Sequence, residues 1–80
     1  MNIADRVCTI LMDELTLDKE EITPELTYNS IPEWDSVAHM HLVMSLEEAF
    51  DVTFGDTEIA ELTSVAKIIA AIERRIGPPA

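Results

Sequence analysis

The chain is short of whatever would cross-link it, anchor it in a membrane or draw it to nucleic acid. Its one cysteine, Cys8, has no partner for an internal disulfide. Its place in an apolar helical pattern reads as a small buried hydrophobe rather than a reactive thiol, which suits a reducing compartment. No apolar run reaches spanning length, and Met1 leads directly into Asn2-Ile3-Ala4-Asp5-Arg6 rather than into a basic and then apolar leader. We therefore expect a cytoplasmic protein without membrane insertion. Bases are scarce as well: 5 Lys and Arg against 16 Asp and Glu leave a net charge of −11 at pH 7. That charge repels phosphate backbones and anionic headgroups, so nucleic acid is not an expected partner and basic protein surfaces are. Internal repeats and low-complexity segments are missing.

What is present is enough to fold. Hydrophobic residues make up 48% of the 80 residues, more than a disordered acidic tail carries, and this length suits a single domain, 1–80, with one small core. Ile3, Val7, Ile10, Leu11 and Leu15 follow the three-or-four spacing of a helix, capped by Asn2. Thr16 to Asp35, with Pro24 and Pro32, has no sustained period and reads as a long connection in which Ile22, Leu26, Tyr28 and Ile31 act as pins, Leu26 foremost. A second helix is expected from Asp35 or Ser36 to about Phe50, with Leu42, Val43, Leu46 and Phe50 facing the core. Its other apolar row, Val37, Met40 and Met44, is either the edge of a wide core face or an exposed docking strip with adaptable methionines. Val52 and Phe54 lie in too short a stretch for a sheet and tuck a loop onto the core. A short helix from Asp56 to about Leu62 follows. The last helix, capped by Thr63 or Ser64, carries Val65, Ile68, Ile69, Ile72 and Ile76 and stops at Gly77-Pro78-Pro79. The fold class is all-α: a bundle of three longer helices and one short one, with a long loop between the first two and a flexible tail at 76–80.

Glu33-Trp34-Asp35-Ser36 places a serine hydroxyl in the first turn of the second helix. Helix starts expose unpaired N–H groups and partial positive charge, so a covalently carried phosphate is best placed there. The residue types of a hydrolytic triad, Asp35, Ser36 and His39, come without an evident oxyanion pocket or cleft, so no catalytic residues are assigned. His39 and His41, two apart on a helix, point to nearly opposite sides and cannot chelate one ion; His39 reads as a core-edge residue. The acids from Asp51 to Glu58 lack the full pattern of a calcium loop, and no metal site is expected. Glu47, Glu48, Asp51, Asp56, Glu58 and Glu61 form a solvated acidic face which, beside an apolar strip, steers a basic partner. Trp34 reads as packing that fixes the entry into the helix, or as a contact to a carried group.

These residues resemble the acyl carrier protein family. Asp35-Ser36-Val37 is similar to its Asp-Ser-Leu attachment motif, with Leu42-Val43, Leu46-Glu47-Glu48, Phe50, Val52 and Phe54 following in register over nearly the whole chain. The resemblance implies a non-enzyme whose Ser36 receives a 4′-phosphopantetheine arm from coenzyme A through a separate magnesium-dependent phosphopantetheinyl transferase, with Asp35 part of the motif that enzyme reads. It implies that Val37, Met40, Met44, Glu47 and Glu48 dock partner enzymes, and that acyl or aminoacyl cargo rides as a thioester to the active sites of fatty-acid, polyketide or related biosynthesis. Expected partners are an acyl- or aminoacyl-loading ligase and a downstream transferase or synthase, met by a monomeric carrier. Ala38, His41 and Ala49 stand where housekeeping fatty-acid carriers often place acids, and Pro32-Glu33-Trp34-Asp35-Ser36 resembles stand-alone carriers of specialised pathways, which implies a dedicated pathway. The alternative is an unmodified acidic helical adaptor. Sheltering and releasing cargo also leads us to expect a bundle that opens locally, with mobility near Trp34 and in the short helix.

Overall fold

The computed structural model describes residues 2–76. Four α-helices run in chain order, α1 (Ile3–Leu15), α2 (Ser36–Phe50), α3 (Asp56–Glu61) and α4 (Val65–Ile76), with a single 3₁₀ turn at Lys19–Glu21. The α1 helix starts where Asn2 Oδ1 accepts the Asp5 N–H at 2.8 Å, satisfying one of the orphan donors of a helix start. Helices α1 and α2 both end in a left-handed residue, Thr16 and Asp51, each with φ 54°. Glycine usually fills that position. With 2 glycines in the chain, threonine and aspartate adopt the conformation instead.

Helix α1 packs against α2 and α4. Val7, Leu11 and Leu15 from α1 meet Leu42, Val43, Leu46 and Phe50 from α2 and Val65, Ile68, Ala71 and Ile72 from α4, while Leu17, Trp34, Phe54 and Leu62 close the core from the connections. Each fully buried aliphatic side chain contributes about 1.5–3 kcal/mol of transfer free energy, which is what holds helices this short in place. Two rings are lidded by arginine: Arg6 lies 4.3 Å over Phe50 and bonds the Ala49 carbonyl, and Arg75 lies 5.3 Å over Phe54 and bonds the Thr53 carbonyl. In both the guanidinium itself lies over the ring, a cation–π contact worth about 0.5–1 kcal/mol at an exposed site.

The long connection is fastened rather than loose. Val65 N–H donates to the Leu26 carbonyl (3.0 Å), Tyr28 N–H to the Thr63 carbonyl (2.8 Å) and Ala66 N–H to the Pro24 carbonyl (3.2 Å), around an isolated bridge between Thr27 and Ser64. Orphan N–H groups at the start of α4 are thus satisfied by the loop, and Ser64 Oγ caps the helix by accepting the Lys67 N–H at 3.1 Å. The expected pins Ile22, Leu26, Tyr28 and Ile31 are partly buried against the core. Leu17 and Trp34 go deeper, at 5% and 0% exposure, and displace Leu26 as the principal anchors.

Three other expectations change. Cys8 is half-buried rather than buried, because it sits at the edge of the α1 stripe. Ile76 does not join the core: it is the last residue of α4, 48% exposed, where the helix has run past its partners. The expected flexible tail from 76 thus begins with a helical residue, and its remainder, 77–80, lies outside the described residues. No helix among the described residues is long and apolar enough to cross a membrane.

Candidate functional site around Ser36

Ser36 is the first residue of α2, and its side chain is exposed. Asp35 precedes it in extended backbone and accepts the Ala38 N–H on Oδ1 at 2.9 Å, so the carboxylate caps the helix that presents the serine. The Ser36 hydroxyl lies 2.9 Å from the Tyr28 hydroxyl. Proximity to the loop tyrosine was not legible in the sequence, because the two residues meet through the fastening of the loop to α4. A negative group on Ser36 faces the positive end of the α2 dipole, a contribution of about 0.3–1 kcal/mol at an exposed helix start.

Behind the serine lies a buried polar relay. Trp34 Nε1 donates to His39 Nδ1 at 3.0 Å, and His39 Nε2 is 3.0 Å from the Ile59 carbonyl. An indole nitrogen can only donate, so Nδ1 accepts, the ring proton sits on Nε2, and Nε2 donates to the carbonyl of α3. His39, 9% exposed, is therefore more than a core-edge residue: it ties α2 to α3. Among the described residues no buried side-chain nitrogen or oxygen lacks a partner. The relay also decides the role of Trp34, whose fully buried ring is packing. With both His39 nitrogens engaged and the Ser36 hydroxyl turned to Tyr28, the set Asp35, Ser36 and His39 does not assemble as a triad. Among the described residues no group of three or more potential ligands could hold a metal ion.

The outer face of α2 is apolar and acidic. Val37, Met40 and Met44 are 65%, 49% and 59% exposed, which decides between the two readings of that row in favour of exposure. Glu48, one turn beyond Met44, is exposed beside them. Glu47 Oε2 accepts the Phe54 N–H at 2.8 Å and so pins the α2–α3 connection. On the opposite flank Ser45 bonds Glu14 of α1. His41 and Ala49 are exposed on α2, and Ala38 is half-buried.

A groove of about 430 Å³ opens between α2 and α3, lined mainly by apolar groups of Tyr28, His39, Met40, Ile59 and Ala60, with Asp56 and Thr63 at its rim. Tyr28 joins this groove to Ser36. A depression of similar size, about 450 Å³, lies between α3 and α4, but its lining mixes Glu58, Glu61, Lys67 and Arg74 and holds no residue that touches Ser36. Glu58 has its carboxyl held below the usual glutamate range, first by a hydrogen bond from Arg75 and then by the Gly55 N–H at 3.2 Å.

A family model described as the phosphopantetheine attachment site matches residues 5–72. The chain is 31% identical over 75 residues to an acyl carrier protein of Picosynechococcus sp., covering 94% of this chain and 93% of that one. To an acyl carrier protein of Akkermansia muciniphila it is 33% identical over 76 residues, covering 95% of each.

Proposed function

Because the chain belongs to the acyl carrier protein family, and so bears acyl groups on a covalent 4′-phosphopantetheine rather than catalysing a reaction, we propose that Ser36 is the residue that carries the arm. The observation that carries this reading is the exposed hydroxyl in the first turn of α2, next to a solvent-facing apolar strip. A phosphodiester fits there: it displaces no core side chain, meets the N-terminal dipole of α2, and exchanges only the contact to Tyr28. The arm supplies a thiol that holds cargo as a thioester. Asp35 holds the helix start in shape with one carboxylate oxygen and leaves the other for the transferase. Val37, Met40, Met44 and Glu48 form the docking face, and Glu47 supports it from behind by fixing the loop to α3.

The pathway reading is a dedicated one, in which a loading ligase charges the arm with an acyl or aminoacyl group and a downstream transferase or synthase takes it off. It is supported by the Trp34-Asp35-Ser36 form of the motif and by Ala38, His41 and Ala49 on the docking helix in place of acids. A monomeric, cytoplasmic carrier fits one cysteine and a net charge of −11. Incubation with coenzyme A and a broad-specificity phosphopantetheinyl transferase, followed by intact mass, tests the attachment. The expected result is a gain of one phosphopantetheinyl unit, abolished by Ser36→Ala. No gain, or a gain that survives the substitution, returns the chain to the unmodified-adaptor reading or moves the arm elsewhere.

A further inference from the structure

His39 stands between the packed core and an open groove. On one side is Trp34, fully buried among the core side chains; on the other is the α2–α3 groove that adjoins Ser36. The ring is stacked with Trp34 at 6.1 Å between centroids and tilted against Tyr28 at 5.1 Å. Both of its nitrogens are bonded. Turning the ring aside strands the buried Trp34 N–H and leaves the Ile59 carbonyl with only the Leu62 N–H at 3.2 Å, and an aliphatic chain pushing inward offers the indole no replacement acceptor. Buried polar groups left unpaired cost more than a made hydrogen bond contributes. A leucine in the same place has only rotamer preferences to hold it.

Given the attachment reading above, we propose that His39 confines cargo carried on Ser36 to the open α2–α3 groove and keeps it out of the bundle core. The carrier then suits short or polar acyl groups, whose thioester carbonyl stays open to attack, and does not shelter long saturated chains. Asp56 at the groove rim and the solvent-open form of the groove agree with cargo that remains partly hydrated.

The test loads the full chain from butyryl- and dodecanoyl-coenzyme A with a broad transferase, confirms both products by mass, and follows thioester cleavage by hydroxylamine. Trp34, the 1 tryptophan of the chain, gives an independent readout through its indole N–H resonance. In the native chain the two thioesters should react at rates within about twofold of each other and leave the indole resonance where it stands in the holo form; a thioester sheltered nine-tenths of the time would react about tenfold more slowly. His39→Ala, which removes the ring, should slow the dodecanoyl thioester alone and shift the Trp34 resonance between that variant's own holo and dodecanoyl forms, while His39→Gln, which can still accept and donate, should behave as native. If the native chain already protects the dodecanoyl group and shifts Trp34, the proposal is overturned, and that result needs no variant to fold. Absence of any acylated mass gain overturns the attachment reading itself, and this inference with it.

Discussion

Asp35 makes one intramolecular hydrogen bond with its side chain, to the Ala38 N–H at 2.9 Å, so removing its carboxylate isolates a helix cap. Asp35→Ala leaves that N–H without its acceptor and removes a negative charge from the positive end of α2. Caps of this kind are worth about 0.5–2 kcal/mol, and in a domain of this size each kcal/mol moves the melting midpoint by about 4–8 °C. Asp35→Asn separates the two contributions. Its amide oxygen can still accept, so only the charge–dipole part is lost, about 0.3–1 kcal/mol and screened by salt. Thermal unfolding followed by circular dichroism at low and high ionic strength should therefore rank native above Asp35→Asn above Asp35→Ala. The gap between native and the asparagine variant should narrow as salt rises. If asparagine is as damaging as alanine, or alanine leaves the midpoint unchanged, the capping assignment fails. If Asp35→Asn also blocks loading of the arm while stability is nearly kept, the second carboxylate oxygen is what the transferase reads.

The two faces of α2 should separate on truncation: Leu46→Ala, at 0% exposure, should lose about 2–5 kcal/mol by urea unfolding, whereas Met44→Ala should stay within about 0.5 kcal/mol and weaken only partner docking. The Arg75–Glu58 tie has a pH signature. Arg75 and the Gly55 N–H lower the Glu58 value below 4.5, so the folded chain binds that proton more weakly than the unfolded one. The contribution is fully present above the unfolded value and disappears as pH falls through the folded one. The stability difference between native and Arg75→Ala should therefore shrink on acidification below 4.5, and carbon-detected titration of Glu58 should shift upward in the variant. Amide exchange should be fastest in α3, six residues with none buried; at Trp34, against the mobility expected there from the sequence, the buried and bonded ring should slow it, and equal protection of α3 and α4 would remove support for local opening.

What could be read in the sequence was what period and caps encode. The limits of α1, α2 and α4 follow from apolar residues at helical spacing, and Asn2, Asp35 and Ser64 each cap as their residue types favour. The connections hid more. An Asp18-Lys19-Glu20-Glu21 turn, in which Glu21 accepts the Asp18 N–H at 3.1 Å, carries a cap signature that the overall lack of period obscured. Leu17 looked like part of a polar loop, because one buried leucine after a helix end makes no pattern. The contact of Tyr28 to Ser36, the tie of Glu47 to Phe54 and the relay through His39 are all set by how distant segments meet. No local spacing announces them, and a histidine with two satisfied nitrogens looks in sequence like any other.

The bridge between Thr27 and Ser64 has a mechanical consequence. Ser36 rides on α2, whereas Tyr28 is moored to the start of α4 by its own N–H. The two hydroxyls, 2.9 Å apart, thus belong to different bodies, and their separation gauges how those helices are set against each other. Either hydroxyl can donate in that contact, and once the Ser36 oxygen is esterified only Tyr28 can, so a chemical event at the tip of one helix fixes the direction of its bond to the root of another.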